Sequence, residues 1–154
     1  MILEFTAGAA VLGLIIFGMI TMDQKKKSQL ILEQSKKELE SYGEVEVKDQ
    51  KLYFTTQKQT YEVLFYRVGL HHELTINSRI MWEVKDASKP RLINQSAFLS
   101  SKYPKLVIVF PTSVVIKRYI NENELEFVKY NKPFYDMYVM RHFELRTLLE
   151  EGIL

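Results

Sequence analysis

The sequence predicts an α/β fold, a mixed sheet flanked by helices, carried on one N-terminal transmembrane helix. Three observations predict it. Residues 5–22, FTAGAAVLGLIIFGMITM, are an uncharged run, followed closely by Lys25, Lys26 and Lys27. Several segments of residues 44–85 alternate apolar with polar positions at the two-residue period of strands. Residues 106–110, LVIVF, are continuously apolar, as in a central strand covered on both faces.

The anchor comes first. A helix rises about 1.5 Å per residue, so about 20 apolar residues cross a hydrocarbon core about 30 Å thick. Residues 2–22 meet that length. A secretory signal carries positive charge before its apolar run and a small-x-small cleavage site after it. Here no Lys or Arg precedes the run and TMDQKKK follows it. Residues 1–23 therefore read as an uncleaved anchor in the cell membrane. The basic side stays cytoplasmic, which places the N-terminus outside and the rest of the chain inside. The absence of cysteine agrees with a reducing compartment. Lys25, Lys26 and Lys27 are a topology signal, and near a surface each can draw anionic lipid headgroups with about 1 kcal/mol. Ala9 and Gly13 form a small-xxx-small pair of the kind that lets two helices touch.

Residues 24–43 read as a juxtamembrane helix, without Gly or Pro until Gly43, which suits a helix end. Residues 44–154 read as one cytoplasmic α/β domain. With 47% apolar residues in the chain, a core can form even after the anchor is discounted. The net charge is +2, and residues 1–42 hold five Lys and five acids that cancel. The remainder carries no strong polyanion footprint.

Val45 and Val47 alternate with charged residues, residues 48–51 make a turn, and residues 52–55 return as a second strand. In residues 61–68, one face holds Glu62, Leu64, Tyr66 and Val68, and the other Tyr61, Val63, Phe65 and Arg67. Residues 69–78 contain a turn and a short strand. Residues 79–85 form the next strand, with Ile80, Trp82 and Val84 on one face and Met81, Glu83 and Lys85 on the other. A helix is expected over 89–102, capped by Ser88, with Pro90 in its first turn and Leu92, Ile93, Ala97 and Phe98 on its apolar face. Strand, helix and buried strand in that order predict a crossover with parallel pairing. Residues 114–120 fit helix or strand, and 124–129 an edge strand. Residues 134–151 read as a last helix, with Phe134, Tyr138, Leu145 and Leu149 on one stripe and Gly152 beyond it.

Glu83 and Lys85, two apart on a strand, set a carboxylate and an ammonium side by side. Such a pair can hold a hard divalent cation and a water beside a phosphodiester. Glu62 on the preceding long strand is the candidate second carboxylate. The order of helix at 24–42, strands near 51–56, 60–68 and 79–86, helix at 89–102 and strand at 105–110 resembles the PD-(D/E)XK, or restriction-endonuclease-like, superfamily. Gln95 resembles the helical glutamine of its nuclease-related domain branch. The resemblance implies Mg2+ or Mn2+ held by Glu62 and Glu83, Lys85 orienting the attacking water, Gln95 in support, and nucleic acid as substrate.

Other groups are ordinary by pattern. Adjacent His71 and His72, before Glu73, point opposite ways on a strand and read as a polar loop. His142 beside Glu144 reads as a helix-surface residue. Ser113 follows the buried strand but lacks a nucleophile-elbow motif. Tyr119, Tyr130, Tyr135 and Tyr138 fit core and rim packing. Two functional readings follow. The first is a membrane-anchored, non-catalytic binding or scaffold module with an unidentified protein partner. The alternative is a membrane-tethered, metal-dependent nuclease.

Overall fold

The computed structural model describes the backbone of residues 2–86, 89–111 and 115–154, and side-chain surroundings within those ranges from residue 21 onward. Helix α1 (Ile2–Tyr42) is continuous. Two five-stranded mixed sheets follow. The first contains β1 (Glu44–Lys48), β2 (Lys51–Thr55), β3 (Thr60–Val68), β7 (Lys105–Pro111) and β10 (Met137–Arg141), in that spatial order. The second has the order β6 (Pro90–Asn94), β5 (Met81–Lys85), β4 (Glu73–Ile76), β8 (Val115–Asn121), β9 (Glu124–Phe127). In the first sheet, β7 pairs in parallel with both β3 and β10. Short helices α2 (Ser96–Leu99) and α3 (Leu145–Glu150) complete the chain.

Strand alternation decides the layers. Val68, Val107, Val109, Met137 and Val139 leave one face of the first sheet and meet Leu74, Ile76, Trp82, Val84 and Ile116 of the second. Phe54, Tyr61, Val63, Leu106, Ile108 and Met140 leave the other face and meet Leu39 of α1 and Leu145, Leu148 and Leu149 of α3. The result is three layers: helices, a sheet, and a second sheet. The continuously apolar β7 sits in the middle layer, where both faces are covered. The expected mixed sheet is present within an α+β arrangement: α1 and α3 cover one face, and the second sheet, with Leu99 of α2, covers the other.

Three expectations need correction or completion. Residues 89–102 are not one helix. Pro90–Asn94 pair antiparallel with β5, with Trp82 opposite Ile93. Pro90 opens an edge strand, where its missing N–H interrupts no ladder. Only Ser96–Leu99 coil. Residues 134–151 are not one helix either. Tyr135 and Asp136 turn in the left-handed region (φ 51° and 59°), β10 then pairs with β7, and helix resumes at Leu145. Met137 and Val139 fill the inter-sheet core, while Tyr138 and Met140 face the helices, so sheet burial overrode a helical spacing. Residues 114–120 fit either helix or strand by pattern; Val115–Asn121 form strand β8, and residue 114 lies outside the described residues. Among the residues with described side chains, no helix is long and apolar enough to cross a membrane. The expected anchor lies, up to residue 20, outside those residues.

Gly43 ends α1 for a steric reason. A Cβ there would stand 2.3 Å from the Thr55 carbonyl oxygen and 2.8 Å from the Phe54 ring. The helix must therefore meet β2 closely before Glu44 pairs with Thr55. Gly43→Ala is expected to destabilise the fold by about 1–3 kcal/mol, the range for overpacking. A urea melt showing no change would sink that account of Gly43.

Candidate functional site

Among the described residues, two oppositely charged side chains are almost wholly buried, and they form a pair. Glu62 on β3 and Lys105 on β7 are register partners in the parallel ladder. Their side chains are 2% and 3% exposed, and Lys105 Nζ donates to Glu62 Oε2 at 2.8 Å. Both residues belong to the alternation that faces the second sheet, as do Leu64 and Val107. Lys105 also donates to the Ser101 carbonyl oxygen at 3.2 Å and to Ser101 Oγ, while Ser101 Oγ donates to Glu62 Oε2. The half-exposed Lys51 reaches Glu62 Oε1 at 3.0 Å. The Phe98 ring lies 5.3 Å from the Lys105 ammonium.

Both carboxylate oxygens of Glu62 are therefore committed to cations. Burial pushes this carboxyl up, but hydrogen bonds from Lys105, Ser101 and Lys51 together outweigh it and hold it below the usual carboxylate value. The group stays ionised and is no proton donor near neutrality. Two open clefts flank the cluster. One, of about 440 Å³, is lined by Ser101, Tyr103, Gln59, Arg79 and Tyr138. The other, of about 390 Å³, is lined by Lys51, Glu62, Leu64 and Phe98.

The structure does not gather the four residues singled out for metal chemistry. Glu62 lies on β3 of the first sheet and looks into the space between the sheets. Glu83 and Lys85 lie on β5 of the second sheet. Trp82 and Val84 enter the core, so Glu83 and Lys85 look away from it. Glu83 stands between Thr75 and Leu92 on that outer face. Gln95 precedes α2, and its backbone N–H donates to the Ile80 carbonyl at 2.8 Å. Among the described residues, no three His, Asp or Glu side chains converge as a metal site would need.

The remaining candidates are dispersed. His71 sits in a turn with φ 69°, and Glu73 pairs with Lys117 at 3.2 Å. His142 lies in a 3-10 turn, its Nδ1 buried without a hydrogen-bond partner. Burial pushes its imidazole below the usual histidine value. Ser113 lies outside the described residues. Tyr130 donates to Glu151 at 2.9 Å, and Tyr138 packs edge-on to Tyr61. Lys27 pairs with Asp23 at 2.8 Å.

Sequence reasoning missed Lys105 and Ser101. One signal was present: Glu62 falls on the same strand face as Leu64, Tyr66 and Val68, and an acid on a buried face needs a cation. Comparisons with family models, with curated proteins and with solved structures found no match to this chain.

Proposed function

We propose that this chain is a single-pass membrane protein whose α+β domain is a non-catalytic binding or scaffold module on the cytoplasmic side. The observation that carries the reading is the continuity of α1. One helix runs from the apolar N-terminal run into the domain, where Leu39 is fully buried among sheet and α3 side chains. Ser28 and Ser35 are buried on the same helix. The helix is thus both the carrier of the apolar run and part of the core, which favours a fixed platform over a domain on a loose tether. The internally satisfied Glu62 cluster favours a structural role for its charges. The PD-(D/E)XK resemblance gains no support from the placement of Glu62 and Glu83.

The test is membrane extraction of the full chain expressed in cells, with protease access from each side. The chain is expected to stay with the membrane at alkaline pH, and its domain to be digested only when the cytoplasmic face is open. Release at alkaline pH would overturn the anchor. In the detergent-purified chain, Mn2+-dependent cleavage of DNA or RNA that disappears in Glu83→Gln would overturn the non-catalytic reading.

A further inference from the structure

The C-terminal ends of the parallel strands β3, β7 and β10 form one end of the first sheet. The C-terminus of α1 abuts the other end, where Gly43 meets Thr55 and Glu44, Thr55 and Thr60 align across three strands. From there the helix keeps buried positions at Leu39, Ser35 and Ser28. From Leu39, which packs in the cluster holding Tyr61, back to Met22 is about 17 residues of helix, about 25 Å. From Tyr61 to Val68 is about 7 residues of strand, about 23 Å. The helix from Leu39 to the end of the apolar run is thus about as long as β3 from Tyr61 to its end.

That end carries unusual side chains. The His72 N–H donates to the Gly69 carbonyl at 3.0 Å, which makes Leu70 and His71 the central residues of a turn. Such positions usually hold Gly, Asn, Asp or Pro. Here Leu70 is 60% exposed, and His71 adopts the left-handed conformation. Two strands away, about 10 Å, the 3-10 turn after β10 leaves Phe143 56% exposed. The charged residues nearby are mostly basic: exposed Arg67 near the end of β3, and Lys25 and Lys26 on α1. The nearby acids Asp23, Glu73 and Glu144 are bound to Lys27, Lys117 and Arg141.

We propose that this end of the domain seats on the bilayer that holds the anchor. Leu70 and Phe143 enter the headgroup layer, and Arg67, Lys25 and Lys26 meet anionic lipid. Exposed apolar tips ringed by cations are the pattern of interfacial binding. The proposal rests on the anchor reading above, and the test separates the two.

The chain has no cysteine, so single Leu70→Cys, Phe143→Cys, Leu14→Cys and Gln57→Cys variants can each carry one fluorophore. The full chain is placed in vesicles of phosphatidylcholine with a minority of phosphatidylglycerol, containing lipid with a nitroxide on the acyl chain near the headgroup. Quenching at 70 and 143 is expected to exceed that at 57 by about threefold or more, as for side chains at the headgroup boundary. Quenching at 14 but not at 70 or 143 overturns the proposal and leaves the anchor standing. No quenching at 14 removes the anchor and this proposal with it. Equal quenching in vesicles of phosphatidylcholine alone overturns the assignment to anionic lipid. So does quenching in pure lipid that disappears in native membranes, where a protein partner then covers this end.

Discussion

Glu62→Gln is expected to cost the folded chain about 3–5 kcal/mol, the range for removing one partner of a buried ion pair. The Lys105 side chain is 3% exposed and lies beside the Phe98 ring. Without the carboxylate it keeps hydrogen bonds to Ser101 but loses its buried counter-charge. The exposed end of Lys51 can return to water, so its loss adds little. Replacing both partners together, Glu62→Leu with Lys105→Met, is expected to return most of the stability, because no orphaned charge remains. Urea unfolding of the full chain in detergent reads this directly. The single tryptophan, Trp82, is fully buried between the sheets and reports the core. A Glu62→Gln cost under about 1 kcal/mol, the range of surface pairs, would show that water reaches the cluster freely. The pH profile supplies an independent check. The Glu62 value lies below its ordinary 4.5 in the folded chain. Its contribution is therefore complete above pH 4.5 and is lost as pH falls below that toward the folded value. The Glu62→Gln variant should lack that part of the acid slope.

How far the fold was legible depended on how local its signals are. The faces of β3 were readable, because Leu64, Tyr66 and Val68 do enter one core and Tyr61, Val63 and Phe65 the other. The β1–β2 hairpin and the buried β7 were readable for the same reason: alternation and apolar runs are written in adjacent residues. Residues 134–151 misled because Phe134, Tyr138, Leu145 and Leu149 satisfy a helical stripe. Only the pairing with β7, some thirty residues away in the chain, reveals a strand there. Pro90–Asn94 misled similarly, since Pro90 suits a helix start and an edge strand equally well. The Glu62–Lys105 pair was hidden by the same limit. Each residue is plain in the sequence, but their apposition is a register between distant strands. Glu83 and Lys85 lie two apart on one strand and so were easy to see, yet alternation sends them to an outer face.

Leu39→Ala is expected to cost about 2–5 kcal/mol, the range for a large apolar side chain removed from a core, and to loosen α1 from the sheet. The reason lies in how little else holds the helix there. Among the residues of α1 with described side chains, Leu39 is the one buried apolar residue; Ser28 and Ser35 are buried, and Ile31 and Leu32 are half-buried. Leu39 is fully buried among Phe54, Tyr61, Ile108, Leu145 and Leu148, so its truncation opens a cavity where helices and sheet meet. Trypsin cleavage at Lys36 and Lys37, both exposed on α1, should accelerate in the variant under native conditions, and Glu33→Ala on the exposed face should change nothing. A lower urea midpoint without faster cleavage would mean that α1 unfolds only with the whole domain. The same variant links this packing to the membrane. If docked α1 is what brings the ends of β3 and β10 level with the apolar run, loosening it should free the domain to move away from the bilayer. Quenching at positions 70 and 143 should then fall toward that at position 57, while quenching at position 14 stays unchanged. Persistence of the quenching at 70 and 143 in Leu39→Ala would assign the seating to those side chains and their neighbouring cations alone, independent of the helix that carries them.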